Sequence, residues 1–216
     1  MLDRLRSGDV VPSLPALPQL RSIGVGHSMG SLLTVYQQAR HHDHVALVLL
    51  GFGDRGLPSH LEERELRYSD DPDGLIDALE DLARQRFGNP LPVMPRGSSN
   101  LLVEHPLPDP VREALVAARA PQLAVAGLSS MIPGSSRNEL AKLDVPVRVA
   151  VGDGDITGPP EAVRELLPPA AKLSVYVLDA SGHNHNVAPT RERLWNHVID
   201  WIDAVARAAG RIARKA

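Results

Sequence analysis

Three short stretches of this chain carry side chains suited to acyl transfer. Gly26-His27-Ser28-Met29-Gly30 reads G-x-S-x-G and follows the apolar run Ile23-Gly24-Val25. A serine with glycine two residues to either side, set between a strand and a helix, is the layout of a nucleophile elbow. That turn is tight enough to need small residues around the exposed hydroxyl. Gly152-Asp153-Gly154-Asp155 supplies carboxylates, and Asp179-Ala180-Ser181-Gly182-His183, with His185 just beyond, supplies imidazoles. A serine hydroxyl is a weak nucleophile at its own pKa. It needs an imidazole to take its proton and a carboxylate to hold that imidazole in the right tautomer. On the residues alone either Asp153 or Asp155 can serve as the acid, and either His183 or His185 as the base.

Each stretch follows a predicted strand. Arg21 to Val25 is a short strand and Ser28 to Arg40 a helix. Val45 to Leu50 is a continuous apolar run, the mark of a strand buried on both faces. Gly51-Phe52-Gly53-Asp54 ends it. Strand signals return at Val145 to Val151 and Leu173 to Leu178, with a helix at Pro160 to Leu167 between them and a closing helix from about Pro189 to Ala209. Alternating buried strands and helices imply a parallel sheet, whose strand ends lie along one edge where these loops converge. Met1 to Leu20, with prolines at 12, 15 and 18, reads as extended or irregular. Helical patterns with Pro/Gly joints fill the middle: one helix carries Leu75, Ile76, Leu79 and Leu82, and another runs from Val111 to Arg119. The acidic run Asp70-Asp71-Pro72-Asp73 caps a helix beginning near Gly74.

With the order serine, acid, histidine, each after a strand, the chain resembles the α/β-hydrolase superfamily from about Arg21 onward. The resemblance is carried by Gly26-His27-Ser28-Met29-Gly30-Ser31, the Gly152-x-x-Asp155 turn, Ser181-Gly182-His183, and the closing helix with Trp195 and Trp201. It implies an α/β fold: a hydrolase-like, mostly parallel sheet at about 21–53 and 143–216, with a helical cap inserted at about 54–142. It implies Ser28 as nucleophile, His183 as base, Asp155 as the acid, and the backbone N–H of Met29 as an oxyanion donor. The implied reaction is cleavage of a carboxylic ester or related acyl bond in a small-molecule substrate, without a cofactor. The family pattern sets several strands before the elbow, and a loop among them supplies the second oxyanion N–H. A strand with its crossover needs a dozen or more residues, so the 25 residues before Gly26 hold one such unit at most. The expected sheet is N-terminally truncated, with an apolar edge open to a second copy or a completing partner.

Composition sets the bounds. Hydrophobic residues make up 43 % of the 216, enough for a sizeable core, and aromatics only 3 %, so that core is aliphatic. There is no cysteine, which excludes disulfides, thiolate metal sites and a cysteine nucleophile. A net charge of −3 with both signs interspersed gives no footprint for nucleic acid, and no apolar run is long enough for a signal or a membrane span. The chain reads as soluble and cytoplasmic. Two other function classes fit part of the pattern. One is a hydrolase-like protein that binds a ligand or partner without catalysis, having lost its oxyanion loop. The other is an NAD(P)-binding oxidoreductase: Gly24-x-Gly26-x-x-x-Gly30 opens a helix after a strand, and Asp54 lies past the next strand. That reading leaves Asp155 and His183 unexplained. His41-His42-Asp43-His44 reads as a solvated helix end rather than a metal site. Leu75, Ile76, Leu79, Leu101 and Leu102 are candidates for an acyl pocket or, equally, for helix packing.

Overall fold

The computed structural model describes residues 1–92, 107–118 and 120–213. Strands β1 (Ser22–His27), β2 (His44–Leu50), β3 (Val147–Gly152) and β4 (Leu173–Leu178) form an all-parallel sheet in the order β1-β2-β3-β4. Helix α1 (Leu2–Ser7) precedes β1, and α2 (Met29–His41) links β1 to β2. Helices α3 (Glu63–Leu66), α4 (Pro72–Phe87), α5 (Asp109–Ala117), α6 (Ala124–Met131) and α7 (Arg137–Leu140) lie between β2 and β3, and α8 (Arg191–Ala213) follows β4.

Burial explains why the two central strands are apolar throughout. Leu47 and Leu49 of β2 face one layer with Val147, Val149 and Val151 of β3. That layer is closed by Leu32 and Val35 of α2, Leu140 and Leu143 around α7, and Val163. Val48, Leu50 and Ala150 point the other way, against Leu194 and Val198 of α8. All three crossovers therefore pack on one face, as crossovers of a single hand in a sheet of sequential strand order must, and α8 covers the other. Leu75, Leu82, Ala83, Ala124, Leu128 and Ile132 form a separate core within the helical segment, where α6 packs on α4.

Several boundaries depart from the sequence expectation, among them α5, which spans Asp109–Ala117 rather than starting at Val111. Residues 2–7 form a helical turn rather than an irregular lead: Gly8 ends it in the left-handed region at φ 85°, and all three prolines fall beyond it. Strand β3 begins at Val147, after Pro146, which has no N–H to give a central ladder. Pro160–Leu166 is 3₁₀ rather than α-helical, hemmed by prolines at both ends. The closing helix starts at Arg191 and continues past Ala209 to Ala213. The acidic run does cap α4, with Asp71 accepting the Gly74 N–H at 2.9 Å, although the helix itself begins at Pro72.

Candidate active site

Ser28 sits where β1 turns into α2, at φ 54° and ψ −123°. A non-glycine residue there stores on the order of 1–3 kcal/mol of strain, which the surroundings must hold. The hold is visible: the Ser28 N–H donates to the Leu50 carbonyl at 2.8 Å, and the Ser31 hydroxyl to the same oxygen at 3.0 Å. The two glycines of the motif are not equivalent. A Cβ on Gly26 would run into the Gly30 carbonyl oxygen and come within 2.5 Å of the Ser31 nitrogen, whereas one on Gly30 would meet nothing within 4 Å. Close approach therefore demands glycine at 26 only.

The hydroxyl of Ser28 lies 2.8 Å from His183 Nε2, and His183 Nδ1 lies 2.9 Å from Asp155 Oδ1. A carboxylate only accepts, so Nδ1 carries the proton and Nε2 is left bare to accept from the Ser28 O–H. His183 and Asp155 are buried. Burial alone would raise the Asp155 carboxyl, but the His183 hydrogen bond and charge, with the Thr157 N–H at 3.1 Å, outweigh it and hold the group below the usual carboxylate range.

Three strand spacings, about 14 Å, separate β1 from β4, so the His183 loop must fold back across the sheet edge. Asp153 makes it do so. Its Oδ2 accepts the Ala180 N–H and its Oδ1 the Ser181 N–H, each at 2.9 Å. Ala180 adopts φ 51° to present that N–H, and a Cβ on Gly152 would strike the Ser181 carbonyl oxygen. Of the two candidate acids, Asp155 thus meets the imidazole and Asp153 anchors the loop that carries it. Of the two candidate bases, His183 meets Ser28. His185 is fully buried behind them, with Nδ1 3.6 Å from Asp155 Oδ2, and neither ring nitrogen has a hydrogen-bond partner among the described residues. Burial and the like charge of His27 depress His185 to about 4, so it is neutral near pH 7.

His27 is a site residue that the motif alone does not single out. Its Nε2–H donates to the His183 carbonyl at 2.8 Å, clamping the backbone that bears the imidazole. Burial lowers its pKa, which keeps it neutral beside His183. The only hint in the sequence is its place inside the elbow, next to Ser28.

A cleft open to solvent runs from Ser28 and His183 over the β2 and β3 loops to the helical segment. Leu32, Phe52, Leu57, Ile132 and Ile156 give it apolar walls. Of the acyl-pocket candidates, Leu75 and Leu79 pack in the core of the helical segment, Ile76 is exposed, and none of the three reaches the cleft. Leu101 and Leu102 lie outside the described residues. Asp54 does line the cleft, but the turn that the dinucleotide reading would give to a phosphate presents a serine hydroxyl already bonded to His183. The histidines near α2 go separate ways: His42 faces Asp144 at 3.6 Å and His44 meets the Ser22 hydroxyl at 3.0 Å. Among the described residues no group of three His, Asp or Glu side chains is placed to hold a metal. No helix among them is long and apolar enough to cross a membrane.

No family model matches the chain, and no curated protein matches it in sequence. Solved structures do match. The monoacylglycerol lipase of Paleococcus ferrophilus superposes with a TM-score of 0.60 at 20 % identity, over 87 % of this chain and 70 % of that one. MenH from S. aureus gives 0.55 at 14 % identity, over 87 % and 70 %. A thermophilic esterase from Thermogutta terrifontis gives 0.51 at 20 % identity, over 86 % and 65 %. The chain thus spans 65 to 70 % of the length of these three. With the parallel sheet and its helices, the likeness identifies the α/β-hydrolase fold.

Proposed function

We propose that this chain is a serine hydrolase acting on carboxylic esters of small molecules, with Ser28 as nucleophile, His183 as general base and Asp155 as its orienting acid. The observation that carries the reading is the unbroken relay from Ser28 through His183 to Asp155, at 2.8 and 2.9 Å, with the serine held in a strained turn. Fold alone does not imply chemistry. The lipase and esterase among the structural neighbours agree with this one.

In the proposed reaction the Ser28 oxygen bonds to the ester carbonyl carbon while its proton passes to His183 Nε2. Asp155 stabilises the imidazolium so formed. Negative charge collects on the carbonyl oxygen. The Met29 N–H, at the first residue of α2 and at the positive end of that helix, is the donor this reading assigns to it. The tetrahedral species collapses, the C–O bond breaks, and the leaving alkoxide takes the proton from Nε2. Water then repeats the sequence on the acyl-serine: His183 accepts its proton, the hydroxide oxygen bonds to the carbonyl carbon, and Ser28 departs protonated with the free acid as product. No cofactor enters. The helices between β2 and β3 act as the cap that closes over the substrate.

A fluorophosphonate probe tests the reading directly. Labelling of the wild type that disappears in Ser28→Ala is the expected result. Equal labelling of both proteins, or of neither, overturns it and leaves a ligand-binding protein of hydrolase shape.

A further inference from the structure

Resting on the reading of Ser28 as nucleophile, we propose that the cleft contains a subsite for a hydroxyl group of the substrate, with the free carboxylate oxygen of Asp54 as its acceptor. Asp54 follows β2 through Gly51-Phe52-Gly53 and lines the same cleft as Ser28 and His183. Its Oδ1 is taken: the Ser136 hydroxyl donates to it at 2.6 Å and the Ser136 N–H at 3.1 Å. The Asp54 carbonyl accepts the Gly134 N–H at 2.9 Å, so backbone and side chain are both clamped against the helical segment. Oδ2 accepts no hydrogen bond from the described residues. The Arg137 charge lowers the carboxyl somewhat but makes no ion pair with it, its guanidinium being directed to Asp70 at 3.8 Å.

Three of the surrounding hydroxyls are already committed. Ser130 donates to the Gly127 carbonyl, Thr157 to Asp155 and Ser136 to Asp54 itself. What remains is one unspent, anionic acceptor in a cleft whose walls include Leu32, Phe52, Leu57, Ile132 and Ile156. Burial raises the Asp54 carboxyl, so its charge is poorly solvated and gains from a donor brought by a ligand. The same charge repels an anionic substrate. The class selected is a neutral, short ester bearing a hydroxyl, on either its acyl or its alcohol side.

Three ester comparisons test this, each followed by acid release in a pH-stat. Propyl butyrate is the reference, propyl 3-hydroxybutyrate places the donor on the acyl side, and 2-hydroxyethyl butyrate places it on the alcohol side. For the wild type one of the two hydroxylated esters should exceed the reference in kcat/KM by about tenfold, and propyl hydrogen succinate should fall about tenfold below it. Asp54→Ala removes the acceptor and should bring the hydroxyl preference to within about twofold of unity. Asp54→Asn keeps a carbonyl oxygen for the two Ser136 donors and removes the charge, so it should relieve the discrimination against the succinate ester. Ratios within one variant are unaffected by a partial loss of folded protein. Equal hydrolysis of the reference and both hydroxylated esters overturns the subsite, as does a preference that survives Asp54→Ala. If those results come from a protein whose Ser28 takes the fluorophosphonate, the subsite alone has failed. A protein that neither takes the probe nor cleaves any of the esters overturns the hydrolase reading, and the subsite with it.

Discussion

The edge of the sheet and the helical segment above it are held by different forces. At the edge, directed hydrogen bonds fix each reactive side chain. Asp153 bonds two successive N–H groups of the His183 loop, His27 bonds its carbonyl, and Leu50 bonds the Ser28 amide. The helical segment is held by packing of Leu75, Leu82, Leu128 and Ile132. Hydrogen bonds specify distance and angle, whereas apolar packing specifies little beyond volume. The groups at the edge are therefore locked in place, while the helical core behind the facing wall can be repacked by exchanging aliphatic side chains.

Three measurements bear on that difference. Asp155→Asn should leave the fold in place and lower kcat by about 10⁴-fold, because the amide no longer enforces the tautomer in which His183 Nε2 is free. A loss of kcat accompanied by a large fall in Tm would show that the edge is not rigid on its own. Leu128→Ala, in the helical core behind the wall, should do the opposite. Leu128 is fully buried, and its truncation should cost about 2–5 kcal/mol in urea unfolding. Labelling of Ser28 in the remaining folded protein should persist; if labelling is abolished there, edge and helical core are one unit.

The smallest effect is acid sensitivity. His185 titrates at about 4 in the folded chain against 6.5 for an ordinary histidine. Between these values the unfolded chain binds the extra proton, so stability falls as the pH drops through that window. From about pH 7.5 to about pH 5 the loss from this residue should be about 2 kcal/mol. Burial of His27 acts in the same direction. Thermal unfolding of His185→Gln at the two pH values should show a correspondingly smaller loss, and an unchanged one would place the acid sensitivity elsewhere.

Much of the edge was legible in the sequence because each reactive residue follows a strand within a short motif. Ser28, Asp155 and His183 were named in advance, and the structure brings them together. The choice of Asp155 over Asp153 came from the family resemblance, not from spacing. Only the backbone N–H groups of Ala180 and Ser181 show why both carboxylates are needed. His27 and Ser136 escaped notice because their partners are distant in sequence: His27 bonds a carbonyl 156 residues away, and Ser136 meets Asp54 across 82. Pattern reasoning sees neighbours along the chain. The same limit hid the turn at Leu2–Ser7, which is too short to show a periodicity, and the 3₁₀ character of Pro160–Leu166.

The relay also has a consequence for the order in which the chain becomes reactive. Ser28 and His183 are 155 residues apart, and the loop that carries His183 follows β4, the last strand. A growing chain presents its serine early, yet the hydroxyl remains an ordinary alcohol until β4 has docked and its loop has folded back. On the proposed reading, the nascent protein stays chemically silent until β4 and its loop are in place.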